Sequence, residues 1–228
     1  MKIAVLGSGM VGRALSAKLA DRGHDVAMGT RDVKALLERS ETGRDGKVLS
    51  FSDWLRDHES VELATFGDAA GPAEILFNAT AGAVSLDALN LAGAENLADK
   101  ILVDVSNPLD FSRGMPPSLL VGSTESLAER IQAAFPGARV VKTLNTVNAA
   151  VMVDPAAVAG GDHNIFLSGD DDSAKQRVQE ILQNDFGWRH VIDLGALSTA
   201  RAAEHWLLMW VSLLSVQGTA MFNIKVMR

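Results

Sequence analysis

The sequence has 228 residues, 47% of them hydrophobic and 21% charged, with a formal net charge of −7. These proportions describe a chain that buries a core, not a disordered one, and they supply no cationic footprint for nucleic acid. Cysteine is absent, which excludes disulfides, thiolate metal sites and cysteine nucleophiles.

The N-terminal apolar run, Ile3 to Leu6, is too short for an export signal. The longest apolar stretch, Trp206 to Leu214, is interrupted by Ser212 and is about half of the roughly 20 residues that cross a bilayer. The expectation is a cytoplasmic protein that contacts neither membrane nor nucleic acid.

From the start, Lys2 to Leu6 is an aliphatic run stopped by glycine, the pattern of a buried parallel strand. Met10 to Asp21 carries Val11, Leu15 and Leu19 four apart, a helix that ends near Gly23. Asp25 to Gly29 reads as a second strand and Val33 to Arg39 as a second helix. Ser40 to Lys47 has loop composition, and Phe51 to His58 forms a short extra helix carrying Trp54. Strands follow at Val61 to Phe66, Glu74 to Ala79 and Ile101 to Val105, with short helices between them. Ser126 to Phe135 is a helix stopped by Pro136 and Gly137. Arg139 to Leu144, Asn164 to Ser168 and Trp188 to Leu194 are the last strands, and Ser173 to Phe186 is an amphipathic helix before the final one.

Strands alternating with helices of this length predict an α/β fold, a doubly wound, mostly parallel Rossmann sheet with a short C-terminal helical portion. The division expected is a dinucleotide-binding domain over residues 1–196 and a helical extension over 197–228. Within that extension, Ala200, Ala203, Trp206, Trp210, Leu213 and Leu214 recur at three and four. From Trp206 onward the helix is apolar nearly all round and must be buried, either on the parent sheet or at the interface of a homodimer.

Gly7-Ser8-Gly9-Met10-Val11-Gly12 matches GxGxxG and sits where that motif has chemical meaning, after a strand and at a helix start. Gly7 permits the tight turn, Gly9 lets the backbone approach a pyrophosphate, and Gly12 lets helix and strand pack. The free amides of the helix start, aided by its dipole, hold the phosphates.

The end of the second strand selects the nucleotide. An NAD site carries an acid there, about 20 residues past the glycines, on the ribose 2′-hydroxyl. This chain has Thr30-Arg31-Asp32, a hydroxyl and a guanidinium first, with Lys34 one turn on. That order favours NADP(H), since Arg holds a 2′-phosphate through paired hydrogen bonds. Asp32 is either a ribose-binding acid or the cap of the following helix.

Ligands of an open parallel sheet sit beyond the carboxyl ends of its strands. The residues there are Asn78-Ala79-Thr80-Ala81-Gly82, Ser106-Asn107-Pro108 and Asn145-Thr146-Val147-Asn148. Small and amide side chains on one edge suit ribose, carboxamide and a flat ring, although such residues also populate any turn. None of the five histidines follows a strand as a general base would, and no two have metal-ligand spacing. Catalytic residues are therefore not assigned, and no metal is expected. An enzyme built this way needs little acid–base help, and direct hydride transfer between two bound cofactors is such a reaction, since the protein need only position and shield them.

The segments MKIAVLGSGMVGRAL, VAMGTRD, VDVSNPLD, RVVKTLNTVNAAVM and IFLSGDDDSAKQRVQEIL with GWRHVIDLGAL together resemble the NADPH-dependent reductases of the deazaflavin coenzyme F420. Their relatives include the cytosolic domain of membrane metalloreductases. The resemblance implies NADP(H) along Gly7 to Gly12 and Thr30-Arg31. It implies that the nicotinamide approaches Ala79-Thr80 and Asn145-Thr146, with the deazaflavin stacked above it. The sequence departs from that family at Asn145, where the members compared have His, and in the added segment Phe51 to His58.

The leading expectation is an NADP-dependent oxidoreductase passing hydride to a deazaflavin or flavin-like small molecule. An NADPH-binding sensor without catalysis is the alternative. A hydroxy- or keto-acid dehydrogenase is disfavoured, since such enzymes carry a long helical domain with a catalytic Lys and only residues 197–228 are available here.

Overall fold

Alternation of buried side chains above and below the sheet organises the molecule. In the first strand Ile3 and Val5 enter one apolar layer, while Ala4 and Leu6 enter the other. The computed structural model describes residues 1–42 and 48–227. In chain order its first elements are β1 (Lys2–Leu6), α1 (Met10–Asp21), β2 (Asp25–Thr30), α2 (Val33–Glu38), β3 (Ser40–Thr42), β4 (Val48–Ser50) and α3 (Phe51–Arg56). Next come β5 (Val61–Thr65), α4 (Phe66–Ala70), β6 (Ile75–Asn78), α5 (Ser85–Ala92), α6 (Ala94–Leu97) and β7 (Ile101–Asp104). The remainder is β8 (Leu109–Asp110), β9 (Ser118–Leu119), α7 (Leu127–Ala134), β10 (Arg139–Thr143), α8 (Ala149–Val153), β11 (Ile165–Gly169), α9 (Asp172–Asn184), β12 (Val191–Asp193) and α10 (Ala200–Gln217).

The main sheet has eight strands in the order β12-β11-β10-β7-β6-β1-β2-β5. The chain runs outward from β1 through β2 to β5, then crosses back to β6. The strand order therefore reverses beside β1, and a crevice opens there at the carboxyl edge. Pairing is parallel from β5 to β10, but β11 is antiparallel to β10, and β12 runs parallel to β11. The loops that leave β11 and β12 consequently lie at the opposite edge from the crevice.

Two expectations change in detail. Ser40 to Thr42, read from composition as loop, pairs antiparallel with β4, and residues 43–47 lie outside the described residues. The last helix is not buried all round within the chain. Ala200, Ala203, Glu204, Leu207 and Val211 face inward, whereas Leu208, Met209 and Val216 are 39%, 53% and 81% exposed. One chain offers α10 a single supporting layer, and that layer covers a single stripe of it.

Candidate functional site

The glycine turn is shaped by contact on one side and by space on the other. A Cβ on Gly12 would stand 1.8 Å from the carbonyl oxygen of Gly7, and Gly7 itself has φ +120° with its missing side chain against Ala79. Both positions thus require glycine for packing. Gly9 differs, because a Cβ there would meet nothing within 4 Å. Its bareness leaves open space over the start of α1, which has neither a side-chain cap nor an acidic residue in its first turn. The backbone N–H groups of Met10, Val11 and Gly12 have no carbonyl a turn before them and point their dipole into that space. This is the cradle that an anion such as a pyrophosphate requires. Arg13 braces the turn: its Nε donates to the Ser8 carbonyl at 3.1 Å, and its guanidinium lies 5.2 Å from the centre of the Phe51 ring. The added helix α3 thereby supports the glycine turn through Arg13.

At the end of β2, Thr30 is buried and Arg31 exposed. Asp32 accepts a hydrogen bond from the Ala35 amide at 2.9 Å and caps α2. Of the two roles open to Asp32, the cap is the one its geometry fulfils. Arg31 has no hydrogen-bonded or ionic partner among the described residues.

A cavity of about 510 Å³ joins these features. It runs from Gly7, Ser8 and Gly9 to Thr30 and Arg31 on one side and to Ala79, Thr80 and Ala81 on the other. Its lining also includes residues that sequence reasoning did not single out, among them Arg39, Phe66, Val84, Asp87 and Leu91. A sequence signal existed for Arg39, a second guanidinium just past the helix that follows β2. The apolar wall from α4 and α5 carried none.

Residues 2–108 match the family described as NADP oxidoreductase, coenzyme F420-dependent. Over its full length the chain is similar to a crystal structure from Arthrobacter sp. FB24 assigned to the F420-dependent NADP reductases. Identity is 55%, the TM-score is 0.95, and both chains are covered completely. The chain belongs to the F420-dependent NADP oxidoreductase family. Among curated relatives it is 28% identical to the F420-dependent NADP reductase of Methanothermobacter marburgensis, covering 90% of this chain and 88% of that protein. It is 29% identical to the rat metalloreductase STEAP3, matching 89% of this chain but 36% of that longer protein.

Within this family member the other expected site residues lie around the cavity, not in its lining. Lys34 is exposed on α2. Asn107 and Asn145 are engaged with each other: Asn107 Nδ2 donates to the Asn145 carbonyl and Asn145 Nδ2 to Asn107 Oδ1, each at 3.0 Å. Asn145 Nδ2 also donates to the Ala203 carbonyl of α10 at 2.9 Å. Asn145 and Thr146 are each 2% exposed. Leu144, just before them, is fully buried with φ +62°, a left-handed conformation unusual for leucine that turns the chain sharply at the edge of the sheet.

Sequence reasoning also missed the polar floor. Lys142 of β10, wholly buried, donates from Nζ to Asp104 Oδ2 at 2.7 Å and to the Ser106 carbonyl at 2.6 Å. It also pairs with Glu204 Oε1 of α10 at 2.9 Å. Glu204 in turn accepts from the amides of Leu127 and Ala128 at 2.7 and 3.1 Å, at the start of α7. Burial pulls the Lys142 ammonium down, but the two carboxylates and their hydrogen bonds outweigh it, leaving its pKa above the ordinary lysine value. The signal was a lone Lys inside the apolar run Val140 to Leu144 and a lone Asp ending Ile101 to Asp104.

The histidines are occupied elsewhere. His24 pairs with Asp185 at 3.1 Å, and His58 and His205 contact carbonyls one turn back at 2.7 and 2.8 Å. His163 is buried against the Pro155 carbonyl, and His190 faces Asp162 at 3.4 Å. None lines the cavity.

Proposed function

We propose that this protein transfers hydride between NADPH and an F420-type deazaflavin, the acceptor gaining a proton as NADPH becomes NADP⁺. The observation that carries this reading is a single cavity that links the bare helix start at Gly9 with Arg31. The first-turn amides from Met10 to Gly12, with Gly7 and Ser8 beside them, receive the pyrophosphate. Thr30 and Arg31, with Lys34 one turn on, receive the 2′-phosphate, whose charge-assisted bonds distinguish NADPH from NADH. Ala79, Thr80 and Ala81 border the nicotinamide half, while Asn107, Asn145 and Thr146 hold the neighbouring loops in place. When bound, NADPH supplies the hydride. The chain's own residues position the two rings and exclude water, and no acid–base side chain is assigned.

Stopped-flow mixing of protein, NADPH and oxidised F420 should bleach the deazaflavin's visible band with matching loss of NADPH. Reduction of ferric chelates or keto acids while F420 stays oxidised would overturn the acceptor. We further propose a homodimer in the cytoplasm, the exposed stripe Leu208, Met209 and Val216 of α10 meeting its symmetry mate. Sedimentation of a monomer at micromolar concentration would contradict the dimer. Among the described residues no helix is long and apolar enough to cross a membrane.

A further inference from the structure

Resting on the NADP reading, we infer that Thr80 meets the bound cofactor as a hydrogen-bond acceptor only, its own proton held inward by a buried chain that ends at Lys142. Proton polarity is set from the core outward. Asp104, paired with the Lys142 ammonium, is a carboxylate and can only accept; Ser106 donates to its Oδ1 from both backbone and hydroxyl, at 3.2 and 2.6 Å. Asn78 therefore turns its amide N–H group toward Asp104, Nδ2 donating to Oδ1 at 2.9 Å. Its Oδ1 is then directed at Thr80, where the backbone N–H of Thr80 also demands an acceptor, at 3.3 Å.

The Thr80 hydroxyl lies 2.6 Å from that same Asn78 Oδ1. An amide oxygen has no proton, so a contact this short is made by the Thr80 hydroxyl donating. Ser85, wholly buried, accepts from Asn78 Nδ2 at 3.2 Å and lies 2.8 Å from Thr80 Oγ1, to which it can donate. Thr80 thus keeps only lone pairs for the cavity it lines. A phosphate oxygen would be repelled there. The partner is a neutral donor on the nicotinamide half, either the carboxamide N–H or the ribose 3′-hydroxyl. Asn78, Asp104 and Lys142 touch no ligand in this account; they are positioning residues that set which way Thr80 points its proton.

Neutron diffraction from deuterated crystals reads the proton directly. A deuteron on Thr80 Oγ1 aimed at Asn78 Oδ1 is the expected result, and one aimed into the cavity overturns the inference. Calorimetric titration of wild type, Thr80→Val and Thr80→Ser then uses three ligands. These are NADP⁺, its 3-acetylpyridine analogue, which lacks the carboxamide N–H, and an analogue lacking the 3′-hydroxyl of the nicotinamide ribose. One analogue should bind wild type about three- to tenfold more weakly than NADP⁺, the worth of one neutral hydrogen bond. Thr80→Val should weaken NADP⁺ by the same factor with no further loss for that analogue, while Thr80→Ser keeps the wild-type pattern. The analogue affected identifies the donor. If both analogues lose as much on Thr80→Val as on wild type, Thr80 is not the acceptor. Failure of wild type to bind NADP⁺ at all would overturn the cofactor reading, and this inference with it.

Discussion

Arg31 and Lys142 are both cations near the carboxyl edge of one sheet, and the protein treats them oppositely. Lys142 is enclosed, with two carboxylates and a carbonyl from its own chain. Arg31 stands exposed on the wall of a cavity, without a partner among the described residues. A buried charge is tolerated only when the chain completes its hydrogen bonding, so Lys142 has nothing left to offer a ligand. Arg31 has all of its donors left. The same contrast separates Gly12, whose missing side chain is required by the protein, from Gly9, whose missing side chain faces empty space.

The largest effect expected is on the enclosed side. Lys142→Met leaves Asp104 and Glu204 buried without their cation, which should cost about 3–5 kcal/mol. At 2–4 °C per kcal/mol this lowers Tm by roughly 6–20 °C, measured calorimetrically, with the NADPH-to-NADH preference of the folded fraction unchanged. The pH dependence has a definite sign. Because the folded pKa of Lys142 is raised, its contribution is fully present below the unfolded lysine value of about 10.4 and is lost as pH rises through the higher folded value. Wild type should therefore lose stability above about pH 10.4 more steeply than Lys142→Met in urea titrations across that range. Equal slopes would show that the ammonium contributes nothing specific.

Next in size is the glycine pair. Gly12→Ala drives a methyl group into the Gly7 carbonyl and should destabilise by roughly 1–3 kcal/mol, reducing cofactor binding along with the fold. Gly9→Ala meets no protein atom and should change stability by less than about 1 kcal/mol, as a helix-cap exchange does. Its NADPH affinity should nonetheless fall at least about tenfold, the loss of one or two bonds to phosphate. Parallel losses of stability in both variants would erase the distinction.

Smallest is Asp32→Ala, which removes the cap of α2 at about 1 kcal/mol and should leave the cofactor preference with NADPH. A selective loss of NADH binding would instead mean that Asp32 grips a ribose.

The sheet and the glycine turn between β1 and α1 were legible because periodicity and glycine spacing are local properties. Met10 to Asp21 was read to its boundaries, and the second strand to within one residue. What stayed hidden depends on residues far apart in sequence. The Lys142 cluster joins positions 104, 142 and 204, which only the fold brings together. The reversal of β11 and β12 was hidden too, because a short buried strand has the same composition in either direction. How α10 is covered was not legible either, since an apolar sequence states what a helix prefers and not how many layers one chain supplies to cover it. Asn145 shows the same limit: its place after a strand was visible, its engagement by Asn107 and Ala203 was not.

The claim that Arg31 waits for a 2′-phosphate is tested most directly by paired titrations of NADPH and NADH into wild type and Arg31→Ala. Charge-assisted bonds at that position are worth about 1.5–3 kcal/mol, so NADPH should weaken roughly ten- to a hundredfold. NADH, which lacks the phosphate, should bind both proteins alike. Equal losses for the two nucleotides, or a wild type that prefers NADH, would contradict the account.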